Sequence, residues 1–63
     1  MYTFDSPRMI YLKTINSHGE RFKVDRVHTH VKGLVTFELE GELVAQAAKA
    51  NIEYWRVLEE END

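Results

Sequence analysis

Two turn signals in the first two thirds of the chain constrain its fold most strongly, because they separate three short segments of strand-like alternation. The first is NSHG at residues 16–19 and the second is KG at residues 32–33; each ends in a glycine that can adopt the positive φ of a tight turn. Around these turns, apolar and polar residues alternate with a period of two, as in strands that bury one face. The pattern predicts a three-stranded antiparallel meander with strands at about 9–15, 20–31 and 34–39.

The second segment changes phase part-way along. Phe22 and Val24 lie at even positions, whereas the apolar residues that follow, beginning with Val27, lie at odd positions. A regular strand would place these two sets on opposite faces of the sheet. A bulge or bend near Asp25 and Arg26 would return both sets to one face. The alternative is that the strand ends there.

The last third of the chain, GELVAQAAKANIEYWRVLEEEND from Gly41, begins with a helix-like spacing of apolar residues. Its alanines are strong helix formers, so we predict a helix starting near residue 42. In one alternative this helix continues to Glu60. In the other it ends at Asn51, a residue type that tolerates positive φ, and a fourth strand occupies 52–58, where β-favouring Ile, Tyr, Trp and Val are concentrated.

These elements predict an α+β fold in which one helix packs against the apolar face of the meander. We expect a single domain over residues 1–63, with an irregular lead at 1–7 that contains Pro7 and a frayed acidic tail at 59–63. The apolar face beneath the helix would be made by Ile10, Leu12, Phe22, Val24, Val35 and Phe37.

Length and composition limit how such a chain can be stabilised. A domain of 63 residues buries a small share of its surface, so similar domains often add disulfides, a metal or a partner chain. Cysteine is absent, which excludes disulfides and thiolate metal sites and is typical of a reducing compartment. A homodimer is the remaining route to a larger core. With no signal-peptide pattern and no bilayer-length apolar run, we expect a cytoplasmic protein without a membrane partner.

Charge is unevenly divided along the chain. The first 33 residues contain six Lys or Arg and three Asp or Glu, whereas the remaining 30 contain two and eight. Basic side chains with an aromatic residue among them suit phosphate contacts and base stacking. If the second strand bends as described, the basic residues share the outer side of the sheet, which gives the hypothesis of a nucleic-acid-binding face. Its residues would be Tyr11, Lys13, Arg21, Lys23, His28, His30 and Lys32.

The segment around the single tryptophan supplies a second candidate surface. Trp, Tyr and Arg are the residue types most enriched in the hot spots of protein interfaces. In so small a domain, however, a lone tryptophan is expected among the core side chains, so we expect Trp55 to be buried and its neighbours to be exposed. Tyr54 and Arg56 are therefore the predicted binding residues for a protein partner.

The sequence contains one candidate for metal binding, the pair His28 and His30, which would point the same way from a strand. A zinc site requires three or four protein ligands, so either His18 or Glu38 would have to join the pair. No spacing brings them together, and we interpret the pair as exposed strand histidines without a metal. No catalytic or cofactor-binding motif is present either, and we predict that the protein is not an enzyme.

From about Glu42 to Glu59, the helix-like stretch, Asn51 and the sequence IEYW resemble small phage-encoded domains, in which a short helix ends at Gly or Asn and a final strand with Glu and aromatic residues follows. The resemblance implies an accessory or viral protein and no particular site residues. Together with the exposed residues, it favours a small non-enzymatic binding module that engages a protein partner as a regulator or inhibitor. The alternative is a nucleic-acid-binding module that uses the basic face.

Overall fold

A computed structural model describes residues 1–58 of the chain, and these form one antiparallel sheet of five strands in the order β4-β3-β2-β1-β5. A single turn of 3-10 helix, Lys49–Asn51, separates the last two strands. The strands are β1 (Tyr2–Thr14), β2 (Glu20–Thr29), β3 (Leu34–Leu39), β4 (Glu42–Ala48) and β5 (Ile52–Val57).

The predicted α+β class is wrong, because the segment expected to form a helix starting near residue 42 is strand β4. Ala45 and Ala47 lie opposite Phe37 and Val35 of β3. Their small side chains leave room for these larger neighbours, so the alanines that favour a helix locally also suit the paired strand. A short helix is marginal by itself, and pairing with β3 satisfies the same backbone groups within the sheet.

The turn between β3 and β4 explains why a strand begins where a helix start was expected. Leu39 pairs with Glu42, so only Glu40 and Gly41 form the loop, with φ of 53° and 83°. Two central residues with positive φ define a type I′ turn, whose twist matches that of a two-stranded hairpin. Gly41 therefore belongs to a hairpin and not to the first turn of a helix.

The strand predicted at 52–58 is present as β5, and the alternative of a helix continuing through Asn51 is wrong. β5 pairs with β1 and not with the preceding strand. The 3-10 helix ends at Asn51, whose carbonyl accepts a hydrogen bond from the backbone N–H of Ile15 (2.9 Å). This turn carries the chain from one edge of the sheet to the other.

The expected phase change in β2 is observed within a continuous strand, so the alternative that the strand ends there is wrong. Val24 and Val27 are both fully buried, although they are three residues apart. Thr3 pairs with Arg26 and Arg8 pairs with Val24, so residues 4–7 of β1 lie opposite a single residue of β2. This register break accommodates the change of parity in β2, whereas the inward residues of β1 stay at even positions on both sides of it.

β1 begins at Tyr2 and so includes most of the segment expected to be an irregular lead. The irregularity within that segment is the register break between Thr3 and Arg8. Pro7 lies in the break, where its missing N–H removes no hydrogen bond from a regular ladder. The predicted acidic tail at 59–63 lies outside the described residues.

The core lies on the concave, inner face of the sheet, which curls over it. Phe37 of β3 and Trp55 of β5 are separated by two intervening strands, a distance of roughly 14 Å in a flat sheet, yet their ring centroids are 6.1 Å apart. The curled sheet therefore covers its own apolar face, as the predicted helix was expected to do. The buried residues are Ile10, Leu12, Val24, Val27, Val35 and Phe37, and Phe4, Phe22, Ala45, Ile52, Trp55 and Val57 pack against them.

Within residues 1–58 there is no helix of sufficient length and hydrophobicity to span a lipid bilayer.

Candidate binding surface on the outer face of the sheet

The outer face of the sheet, which points away from the core, brings together residues from both predicted binding surfaces. Tyr11 of β1 lies opposite Arg21 of β2 on one side and Arg56 of β5 on the other. One row of neighbouring side chains therefore reads Arg21, Tyr11, Arg56 across three strands. In the next row, Tyr54 lies opposite Lys13.

The side chain of Tyr11 contacts those of Tyr54 and Arg56. The rings of Tyr11 and Tyr54 have centroids 6.0 Å apart at a tilt of 33°. The guanidinium carbon of Arg56 lies 5.9 Å from the centroid of the Tyr11 ring, within the range of a cation–π interaction. We call this group, consisting of Tyr11, Arg21, Tyr54 and Arg56, the tyrosine–arginine patch.

Tyr11 is held in place by the turn between β1 and β2. Its hydroxyl donates a hydrogen bond to the backbone carbonyl of His18 (2.9 Å). Gly19 lies against the same hydroxyl, and a Cβ there would collide with it. Gly19 also has φ of 94°, so the glycine is needed both for the turn and for the position of the Tyr11 ring. Tyr54, the other tyrosine of the patch, is 47% exposed to solvent.

Lys13, a member of the predicted basic face, is adjacent to the patch but has an acidic partner. Its ammonium nitrogen lies 3.7 Å from a carboxylate oxygen of Glu53 and donates a hydrogen bond to the carbonyl of Thr14 (2.8 Å). Glu53 occupies a bulge, because the β1–β5 register shifts there. The bulge turns the Glu53 side chain towards the outer face. Its carboxylate offsets part of the positive charge of that face.

Three other basic-face residues, His28, His30 and Lys32, lie at or beyond the other end of β2, away from Tyr11. Arg21 and His28 are seven residues apart, which corresponds to roughly 20 Å along a strand. Between them, Arg26 and Glu38 form an ion pair (3.8 Å). The predicted nucleic-acid-binding face is therefore divided: Arg21 and Lys23 lie near Tyr11, whereas His28, His30 and Lys32 lie towards the turn before β3.

His28 and His30 form a compact pair at that end of the sheet. Their imidazole rings are stacked with centroids 4.2 Å apart, and His30 Nε2 lies 3.1 Å from the hydroxyl of Thr36. Glu38, considered as a third metal ligand, instead pairs with Arg26. Among residues 1–58, no three His, Cys, Asp or Glu side chains are grouped closely enough to hold a metal ion.

Trp55, expected to be buried, lies on the inner face and is partly buried, packed against the core. Its ring makes edge-on contacts with Tyr2 (centroids 5.2 Å apart) and with Phe37 (6.1 Å). Because side chains alternate along β5, its neighbours Tyr54 and Arg56 point to the outer face and are exposed. The tryptophan thus anchors the strand that carries these two residues.

A cleft of about 360 Å³, which was not predicted from the sequence, lies between the β1–β2 turn, β4 and the 3-10 helix. Its residues are far apart in the sequence, so no local pattern indicates it. Among residues 1–58, Glu20 is the only acidic residue in its lining, and the hydroxyls of Thr14 and Ser17 in its wall bond to each other (2.8 Å). The other lining residues are Leu12, Ile15, Asn16, Ala45, Gln46, Ala47 and Asn51.

Comparison of the chain with models of protein families, with curated proteins and with solved structures found no match. The resemblance to small phage-encoded domains also loses its structural basis, since the segment from Glu42 is a strand and not the short helix that the resemblance requires.

Proposed function

We propose that the protein is a small non-enzymatic binding module that engages a protein partner through the tyrosine–arginine patch, as a regulator or inhibitor of that partner. The observation that carries the proposal is the row Arg21, Tyr11, Arg56 with Tyr54 beside it, on the face of the sheet that takes no part in the core. A cytoplasmic location fits the absence of cysteine from the sequence.

The composition and rigidity of the patch support this function. Tyr and Arg are enriched in interface hot spots, and a tyrosine ring contributes large contact area with few rotatable bonds. Tyr11 is already held by the carbonyl of His18 and by Arg56, so little conformational entropy remains to be lost when a partner binds.

The charges of the patch indicate the chemistry of the partner. Arg21 and Arg56 lie opposite Tyr11 on its two neighbouring strands, and Lys23 lies on the same face in the adjacent row. Guanidinium groups bind carboxylates with two parallel hydrogen bonds when the geometry allows. We therefore propose a partner surface that presents one or more carboxylates around an apolar contact.

The proposal of a non-enzymatic role rests on the contents of the cleft. General acid–base or nucleophilic chemistry needs a reactive group within hydrogen-bond reach of a base. In the described part of the chain, the cleft contains one carboxylate, that of Glu20, and its two hydroxyl groups bond to each other. This arrangement favours binding over catalysis.

Nucleic-acid binding is the second candidate, because Arg21 and Lys23 lie close together on the outer face and neither takes part in an ion pair with another residue of 1–58. Two features place it second. Arg56 covers the ring of Tyr11, which leaves Tyr54 as the aromatic surface for base stacking. The basic residues are also divided between the two ends of β2.

Affinity capture with the immobilised full-length chain tests the first proposal. The wild type should retain a specific protein from a host lysate, and both Tyr54→Ala and Arg56→Ala should lose it. Lys32→Ala, which changes an exposed residue in the turn between β2 and β3, is the matched control and should retain the same protein. If the two patch variants retain the protein as well as the control does, the patch is not the binding surface.

A fluorescence titration with a labelled single-stranded oligonucleotide, at low and at physiological salt, separates the two candidates. Nucleic-acid binding would weaken steeply with salt, and Lys23→Ala would reduce the salt slope by about 1 because one phosphate contact is lost. An absence of binding at low salt would reject this candidate while leaving the protein-partner proposal intact.

A further inference from the structure

Strand β4 forms one edge of the sheet and is unusually apolar for such a position. Between Glu42 and Lys49 the sequence is LVAQAA, without a charged residue or proline. Leu43 is 55% exposed and Val44 is 46% exposed. Exposed edges with unpaired backbone groups are templates for pairing with another strand, and most are protected by charges, prolines or coverage.

The opposite edge, β5, has the protection that β4 lacks. A bulge displaces Glu53 from the β1–β5 ladder, and its carboxylate pairs with Lys13. Arg56 adds a second charge within the same strand. β4 also contains an irregularity, which leaves Val44 without a partner in β3, but the residue placed there is apolar. The two edges therefore differ in charge rather than in the presence of a bulge.

We propose that β4 is a dimerisation edge, which pairs antiparallel with β4 of a second copy of this chain about a two-fold axis. The charges at the two ends of the strand favour this occupant, because Glu42 precedes β4's apolar stretch and Lys49 follows it. When two identical strands pair antiparallel near Ala45 and Gln46, the Glu42 end of each lies beside the Lys49 end of the other. The complementary contact occurs twice in a symmetric dimer.

This pairing places the two outer faces on one side of a continuous sheet, since a two-fold axis perpendicular to a sheet preserves its faces. Each copy adds five strands and one tyrosine–arginine patch. The patch residues lie on the outer faces of β1, β2 and β5, and none of them belongs to the strand that pairs. The dimer would thus leave both patches accessible and increase the avidity for a partner with two binding sites.

Sedimentation equilibrium of the full-length chain, from micromolar to millimolar concentration, tests the proposal. The wild type should dimerise reversibly. Val44→Lys should abolish measurable dimer, because it places charges on the edge of both copies. Glu42→Lys should weaken the dimer about tenfold, since like charges then meet at two equivalent contacts. The double variant Glu42→Lys/Lys49→Glu should restore the wild-type association constant.

Glu53→Lys provides the matched control, because it makes the same charge reversal on the β5 edge. It should leave the association constant unchanged. Amide hydrogen exchange gives a second readout, in which rising protein concentration should increase protection in β4 and not in β5. A chain that stays monomeric at millimolar concentration would overturn the proposal, as would a dimer that responds to Glu53→Lys but not to Glu42→Lys.

The double variant Glu42→Lys/Lys49→Glu still tests the proposal if Val44→Lys fails to fold. Glu42 and Lys49 are both exposed, and reversing both leaves the composition of the chain unchanged. If Glu42→Lys weakens the dimer and the double variant remains equally weak, the antiparallel β4 pairing is wrong.

Discussion

The two faces of β5 show a division of roles between adjacent residues. Trp55 points inward and packs against Tyr2 and Phe37, whereas Tyr54 and Arg56 on either side of it point outward. The inner residue joins the hydrophobic core, and the outer residues join a charged and aromatic surface built with β1. Alternation along a strand therefore places stabilising and binding residues next to each other in the sequence. Mutations on the inner face should reduce stability, and those on the outer face should reduce binding.

The largest expected effect comes from the inner face, at Phe37, which is fully buried. Phe37→Ala removes a large core side chain and should cost about 3–5 kcal/mol in the free energy of unfolding. A domain of this length has roughly 3–9 kcal/mol in total, so the variant should be largely unfolded or close to it. Urea denaturation followed by tryptophan fluorescence measures the change. A loss as small as that of Tyr54→Ala, an exposed control, would contradict the assignment of the two faces.

Trp55→Ala should have the next largest effect, about 3 kcal/mol, at the lower end of the range for large aromatic residues because Trp55 is only partly buried. Circular dichroism can follow its denaturation, since the variant lacks tryptophan fluorescence. Arg56→Ala, the next residue in the strand, should change stability by less than about 0.5 kcal/mol. Equal losses in the two variants would mean that both sides of β5 contribute to the core.

Gly19→Ala should have an effect of intermediate size, and it should reduce both stability and partner binding. The substitution introduces strain at positive φ and a collision with the hydroxyl of Tyr11. We expect a loss of about 1–3 kcal/mol, together with a displaced Tyr11 ring and weaker partner binding. Denaturation and affinity capture measure the two effects.

Gly33→Ala is the matched control for Gly19→Ala. Gly33 also has positive φ (87°), but a Cβ there would meet no atom within 4 Å. It should show the backbone strain without the collision, so its loss of stability should be smaller and its partner binding unchanged. Equal effects of the two substitutions on binding would indicate that the position of Tyr11 does not matter.

The smallest expected effect is on the outer face, at the ion pair between Lys13 and Glu53. Both side chains are partly exposed, so a double-mutant cycle with Lys13→Ala and Glu53→Ala should give a coupling free energy of about 0–1 kcal/mol, reduced further by salt. A coupling much larger than this, or one insensitive to salt, would mean that the outer face contributes to stability as the inner face does.

The second half of β1 and most of β2 and β3 could be predicted from the sequence because their signals are local, whereas the first half of β1 was expected to be irregular. Alternation identifies inward residues such as Ile10, Val24 and Phe37, and the glycines at positions 19 and 33 identify the turns. The phase change in β2 could also be predicted from the sequence, since two buried sets of opposite parity require an irregularity between them. The inward position of Trp55 could be predicted from its size and from the small size of the domain, although its burial is only partial.

The candidate site could be predicted only in parts. Tyr11 and Arg21 were identified as members of one surface, and Tyr54 and Arg56 as members of another. The pairing of β1 with β5 unites them, and it joins residues that are distant in the sequence, such as Tyr11 and Arg56. No periodicity within either strand specifies its partner, because strand order depends on how the whole chain closes around its core.

The sequence by itself determined the meander, its turns and the division of each strand into an apolar and a polar side, because each of these follows from the chemistry of neighbouring residues. Only the tertiary structure decided that the alanine-rich segment is strand β4 and that β5 returns to pair with β1. Helix propensity is worth a fraction of a kcal/mol per residue, so the burial of Ala45 and Ala47 opposite Phe37 and Val35 outweighs it. The curl of the sheet, which brings Phe37 against Trp55, then completes the core without a helix.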